Sequence, residues 1–255
     1  MKKFLFLLAC LSLFIPGQLS ADEFNVAVAS NFQKPAELIA AQFEADTGHK
    51  AILTFGSTGA FETQIKNGSP VAILLAANTK TPKNLDEAGF AKPGSIFTYA
   101  LGALLLWSAE EGYVDDKGEV LKTGDYEHIA VANPEAAPYG FAAYELLKAW
   151  DLLDKLQNEK RISEGTNIKQ TAQFVESGAA KLGLIAKSEK WENGAFNGSG
   201  SYWLVDTSLY SPIVQDAVII EHAKDNEAVQ AFADYLKSDK AKEIILSFGY
   251  QVPEK

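Results

Sequence analysis

A chain of 255 residues with 33 acidic against 23 basic side chains carries a formal charge of −10 at pH 7. Nucleic acid and anionic membrane surfaces repel such a molecule, so neither is expected as a partner. The one cysteine, Cys10, falls in an N-terminal leader, which leaves the rest without a disulfide or a thiolate metal site.

In chain order the leader comes first. Met1-Lys2-Lys3 is a short basic region, Phe4–Pro16 an apolar core too short to span a bilayer, and Gln18-Leu19-Ser20-Ala21 a small-residue break before Asp22-Glu23. This is the layout of a secretory signal over residues 1–21, cut after Ala21; it predicts export, with no membrane insertion afterwards. Leu7-Leu8-Ala9-Cys10 resembles a lipobox. Cleavage there would shorten the apolar core to Phe4–Ala9 and keep the apolar Leu11–Ile15, so lipid anchoring through Cys10 is not expected. Lys2 and Lys3 leave with the leader, and the charge balance moves from −10 to −12. About 234 residues remain, enough for one large domain or two lobes.

From Phe24 onward strand-like and helix-like blocks alternate. Phe24–Ala29 reads as a strand and Pro35–Ala45 as a helix, with Pro35 in its first turn and Thr47-Gly48 as its stop. Ala51–Phe55 is a second strand, Ala60–Asn67 a second helix, and Val71–Ala77 is apolar throughout, as a strand covered on both faces should be. Thr81–Gly89 is a short helix. Phe97–Ser108 is a long apolar stretch broken by Gly102, which predicts a strand that leaves one sheet for another near Tyr99–Ala103. After the charged loop Gly112–Gly124 the alternation resumes with the strand His128–Ala132, the turn Asn133-Pro134 to Pro138-Tyr139-Gly140, and the helix Phe141–Ala149. The helix Ile168–Ser177, the strand Leu182–Ala186 and a Gly- and Asn-rich loop Trp191–Ser201 follow. Ile213–Ile220 is expected to cross back, so that Asn226–Ser238 and Lys240–Phe248 pack on the first lobe. The expected fold class is α/β with two lobes, each a mixed, mainly parallel sheet flanked by helices. Residues 22–101 and 213–255 form one lobe and 102–212 the other, joined by two crossings that act as a hinge.

Two turns carry chemistry. Gly56-Ser57-Thr58-Gly59 lies between a strand and a helix, and Ala29-Ser30-Asn31 repeats that layout. Small hydroxylated residues at a helix start gather N–H and O–H donors at the positive end of the helix dipole, which makes an anion seat. Helix capping alone would account for either turn by itself. The acidic surface does not oppose such a seat, because carboxylates beyond about 10 Å are screened while fixed dipoles act within hydrogen-bond reach. Catalysis is not expected: His49, His128 and His222 stand in unrelated contexts, and neither a Gly-x-Ser-x-Gly elbow nor a His-Glu-x-x-His motif occurs. Asp115, Asp116 and Glu119 lack the ligand spacing of a calcium loop and read as a solvated face.

Taken together, Val28-Ala29-Ser30-Asn31-Phe32, Phe55-Gly56-Ser57-Thr58-Gly59, Gln64-Ile65-x-Asn67-Gly68-x-Pro70, Asn133-Pro134, Ala137-Pro138-Tyr139-Gly140 and Phe248-Gly249-Tyr250 resemble the periplasmic molybdate-binding proteins of ABC importers. The likeness covers essentially all of Glu23–Pro253. It implies a type II periplasmic-binding-protein fold that closes as a monomer on molybdate or tungstate and delivers it to a membrane permease. It also implies an oxyanion held by neutral donors, without direct metal ligands and without a cofactor. By motif, Ser30 and Asn31 fall at the first seat and Thr58 at the second, with Ser57 beside it as an extra donor. Tyr139 falls at the second-lobe turn, and Ile168 at a helix start where the family uses a backbone N–H. This chain has Ala72 and Ala76-Ala77-Asn78 where the family often shows Asp or Asn followed by Ser-Ala-Asp, and no binding role is carried onto those positions.

A cage of donors alone suits an anion without protons. Hydrogen phosphate would leave its O–H unpaired there, at a cost of about 1–3 kcal/mol. Sulfate passes the same test but is smaller. Ferric ion would need a tyrosine pair, with Tyr99, Tyr144 or Tyr202 approaching Tyr139. Binding of sulfate, phosphate or ferric ion on the same fold stays open at this point.

Overall fold

A computed structural model describes residues 21–123 and 125–253; the leader and Cys10 lie outside them. The chain opens with β1 (Glu23–Ala29), α1 (Gln33–Thr47), β2 (Lys50–Gly56), α2 (Thr58–Lys66), β3 (Val71–Leu75), α3 (Lys80–Glu87) and β4 (Phe97–Gly102). It continues through β5 (Leu104–Ser108), the single turn α4 (Val120–Thr123), β6 (Ile129–Ala132), α5 (Pro138–Ala149), α6 (Leu153–Asn158), β7 (Ile162–Gly165), α7 (Ile168–Glu176) and β8 (Leu182–Ala186). The hairpin β9 (Trp191–Glu192) and β10 (Ala195–Phe196) leads to β11 (Ser201–Leu204), and β12 (Ile213–Ile219), α8 (Glu227–Tyr235) and α9 (Asp239–Ser247) close the chain.

These strands form two five-stranded sheets, in the orders β2-β1-β3-β12-β4 and β11-β5-β8-β6-β7. Each has a parallel trio, β2-β1-β3 in the first and β7-β6-β8 in the second. Two strands joined through antiparallel pairings complete each sheet. The antiparallel members include the strands that carry the chain between lobes: β4 ends at Gly102, β5 begins at Leu104 in the other sheet, and β12 brings the chain back. A parallel pair needs a helical crossover and so stays within one lobe, whereas a strand that merely passes through can run either way.

All five residues of β3 are buried, which accounts for its unbroken apolar run. Phe24, Phe43 and Phe232 meet edge to face, with ring centroids 5.1 to 6.2 Å apart, and tie α1 and α8 to β1. Phe32 packs edge to face on Tyr99 at 4.7 Å and on Tyr250 at 5.4 Å, which anchors the turn that follows β1. Each such pair adds about 0.5–1.5 kcal/mol to the burial itself. The second-lobe core, built on Leu104, Val131, Tyr139, Leu146 and Ile168, continues to Ala29 and Ala77 of the first lobe.

The stretch Trp191–Ser201 is not the plain loop its composition predicts. Asn193 and Gly194, at φ 51° and 78°, form the two-residue turn of the hairpin β9–β10. The strands β7 and β11 also go beyond the sequence reading; they are four-residue edge strands with little apolar alternation to announce them.

Candidate functional site

The parallel register of β1 and β2 sets Ala29 opposite Gly56, so the two turns expected to seat an anion are neighbours by construction. After β1 the chain makes one 3-10 turn, Ser30–Phe32, whose residues are all buried. The leading N–H groups of such a turn have no partner within it. After β2, Ser57 caps α2, its hydroxyl accepting from Ala60 N–H at 3.4 Å, and Thr58 is the first helical residue. The second lobe contributes two more helix starts. The Asn133 side-chain oxygen accepts from the N–H groups of Glu135 and Ala136 at 2.9 and 3.0 Å, which shapes the turn into α5. Pro138 opens α5 and Tyr139 follows it in the first turn. Asn167 caps α7 by accepting from Gln170 N–H at 3.0 Å, which leaves the N–H of Ile168 at the helix start.

These four helix starts converge on one small cavity between the lobes, lined by Ser30, Asn31, Ser57, Thr58, Tyr139 and Ile168 together with Ala29, Gly56, Ala77, Ala137, Pro138 and Asn167. Among the described residues, no lysine or arginine lines it. The lobes meet around it: Gly59 N–H donates to Ala136 O at 3.0 Å, and Ser188 Oγ donates to Asn31 O at 2.9 Å. Glycine eases that approach: a Cβ at position 59 would lie 3.2 Å from Ala136 Cα, and the backbone there would have to give by a few tenths of an ångström.

Two hydroxyls of the cavity have an acceptor site filled from behind. Thr58 Oγ1 accepts from Ala77 N–H at 3.0 Å, and Tyr139 OH accepts from Gln215 Nε2 at 3.3 Å. Each still has its proton to donate, and Thr58 keeps a second lone pair besides. Burial also pushes the Tyr139 phenol well above its ordinary range, and the nearby Tyr250 and Tyr99 hydroxyls push the same way, so Tyr139 keeps its proton. Ser30 Oγ enters no hydrogen bond among the described residues, while its residue is only 5% exposed. Asn31 behaves differently. Its amide hydrogens go to Gln215 Oε1 and Tyr250 OH, both at 2.9 Å, so its backbone N–H is the donor it has left for the cavity. Ile168 likewise offers its N–H, its side chain being buried in the second-lobe core.

Of the residues behind the cage, sequence reasoning passed over Ser188 and Gln215, carried no role onto Ala77, and named Tyr99 only as a partner of Tyr139 for ferric ion. One signal was available for Gln215, a polar residue in an otherwise mostly apolar strand. Tyr99 reaches Gln215, with its hydroxyl 3.1 Å from Oε1, and so joins the surroundings of Tyr139. Tyr202 stacks on Phe196 at 4.4 Å and Tyr144 packs against the second-lobe core.

Two lobes with a cavity of neutral donors between them define a class: proteins that enclose a small solute rather than transform it. The family model of the bacterial extracellular solute-binding proteins matches residues 24–251, and the chain belongs to that family. It is 50% identical over 230 residues to the molybdate-binding protein ModA of Azotobacter vinelandii, covering 90% of each chain. To the molybdate-binding protein ModA of Rhodobacter capsulatus it is 43% identical, covering 91% of this chain and 89% of the relative. The solved periplasmic molybdate-binding protein of Azotobacter vinelandii superposes with a TM-score of 0.88 at 41% identity, covering 91% of this chain and all of that one. Such proteins serve transporters as solute binders and are not enzymes. Among the described residues, no helix is long and apolar enough to cross a membrane.

Proposed function

We propose that this chain captures molybdate, and tungstate with it, in the interlobe cavity and hands it to the permease of an ABC importer. What supports the reading most is that Thr58 and Tyr139, both lining the cavity, each accept from a protein N–H, which leaves their protons for donation. Ser30 Oγ, Ser57 Oγ and the N–H groups of Asn31 and Ile168 complete a donor set drawn from both lobes. An anion that carries no proton can accept from all of them, whereas hydrogen phosphate also brings an O–H, for which no carboxylate lines the cavity among the described residues. The ModA relatives support molybdate as the member of that class. The ligand gains its second-lobe donors only when the lobes are together, so binding shifts the hinge toward the closed form, which the permease recognises. The carrier works as a monomer in the periplasm, after loss of its leader.

Ferric ion fits less well. The hydroxyls of Tyr99, Tyr139 and Tyr250 do gather around Gln215 and Asn31. Burial raises all three phenols, which opposes the phenolate form that iron requires. Isothermal titration of ligand-free protein with molybdate, tungstate, sulfate and phosphate tests the proposal. One-to-one binding of molybdate and tungstate, with phosphate bound far more weakly, is expected. Absence of binding by molybdate, or tighter binding of phosphate, contradicts it.

A further inference from the structure

Gln215 lies on β12, fully buried, and none of its atoms lines the cavity. Its carboxamide belongs to a chain of hydrogen bonds whose direction can be followed from one end. The Asn31 carbonyl can only accept, and it accepts from Tyr250 OH at 2.7 Å and from Ser188 Oγ at 2.9 Å. With its proton directed to that carbonyl or to Ser188 Oγ, Tyr250 must receive the Asn31 side chain as a donor, which turns the Asn31 NH2 toward it at 2.9 Å. That same NH2 then meets Gln215 Oε1 at 2.9 Å, and Tyr99 OH is 3.1 Å from the same oxygen. Gln215 therefore presents its own NH2 to Tyr139, whose hydroxyl oxygen lies 3.3 Å away. Gly102, on the strand beside it, leaves the room: a Cβ there would overlap the Tyr139 hydroxyl.

We propose that Gln215 is a positioning residue that holds the Tyr139 hydroxyl as a donor toward the cavity, and so sets the preference for a fully deprotonated oxyanion over one that carries a proton. This rests on reading the cavity as an oxyanion site. With its lone pair occupied by the amide, Tyr139 has little capacity to accept from the O–H of a protonated anion. Without the amide, the hydroxyl can rotate and do so. The contact also joins a strand of the first sheet to a helix of the second lobe, so it is made where the lobes meet.

The test is a double-mutant cycle on the full mature chain, comparing wild type, Gln215→Met, Tyr139→Phe and the double variant by titration with molybdate, with inorganic phosphate as competitor at pH 7. Gln215→Met should weaken molybdate binding about ten-fold and narrow the molybdate-to-phosphate preference by a similar factor. In the Tyr139→Phe background the same substitution should change molybdate affinity by less than about two-fold. Equal losses in both backgrounds, or an unchanged preference, would reduce Gln215 to a packing residue and overturn the proposal. Gln215→Leu provides a second route if Gln215→Met folds poorly: it also removes the amide beside the Tyr139 hydroxyl, so it should weaken molybdate binding in wild type and change it little beside Tyr139→Phe. Loss in both backgrounds counts against the proposal. Wild-type protein that does not bind molybdate overturns the oxyanion reading itself, before any variant is compared.

Discussion

Thr58 holds one proton and two lone pairs, and Ala77 N–H occupies one of the lone pairs at 3.0 Å. Thr58→Ser keeps that arrangement and should leave molybdate affinity within about two-fold of wild type. Thr58→Val removes the donor at nearly constant volume and should weaken binding by about 1–3 kcal/mol, read by titration calorimetry. Such hydroxyls are legible in the sequence because a Ser or Thr at a strand-to-helix turn advertises donors wherever the fold puts it. What directs their protons is not legible. Gln215 lies 184 residues from Asn31 and 76 from Tyr139, and no local pattern announces that their side chains meet. The inward turn of the Asn31 amide is hidden for the same reason: from sequence, a buried Asn at a helix entry looks as ready to face a ligand as to face the core.

Helix starts are the elements that make the cage, and their caps determine how firmly the N–H groups are held. Asn167→Ala removes the acceptor for Gln170 N–H at the start of α7 and should cost about 0.5–2 kcal/mol of stability by thermal denaturation. Because Ile168 follows directly, the same variant should also weaken ligand binding. An unchanged affinity would mean that α7 contributes nothing to the site. The alternation of strands and helices could be read from the sequence, since buried parallel strands are apolar throughout and the helices between them carry recognisable starts and stops. The hairpin at Asn193-Gly194 escaped because its strands are two residues each, too short to show a period. The edge strand β7 escaped because Ile-Ser-Glu-Gly offers a single apolar side chain.

At the scale of the whole molecule, the lobes meet through a few close contacts that can be tuned. Gly59→Ala would press a Cβ against the backbone of Ala136 and should weaken molybdate binding while leaving the fold intact, with small-angle scattering showing a more open form at saturating ligand. Glu189 adds a pH dependence. It follows Ser188, which touches Asn31, and its side chain is only 8% exposed, with Lys169 Nζ 3.8 Å away. Burial raises its carboxyl from 4.5 to about 7, against the pull of Lys169, Lys34 and Lys190. The native state thus keeps a proton that the unfolded chain has released between those two values, so stability falls as pH rises through that window. Glu189→Gln should raise the melting temperature at pH 8 and change it little at pH 5. An equal shift at both pH values would argue that the carboxyl titrates normally.

The central claim is that uncharged donors from both lobes replace the hydration shell of a tetrahedral metal-oxide dianion. Anomalous diffraction at the tungsten edge, from crystals grown with tungstate, locates the heavy atom directly. A single peak between Ser30, Thr58 and Tyr139, with its oxygens in hydrogen-bond reach of their hydroxyls and of the Asn31 and Ile168 N–H groups, is the predicted result. A peak outside that cavity, or an anion ligated by lysine or arginine side chains, would contradict it.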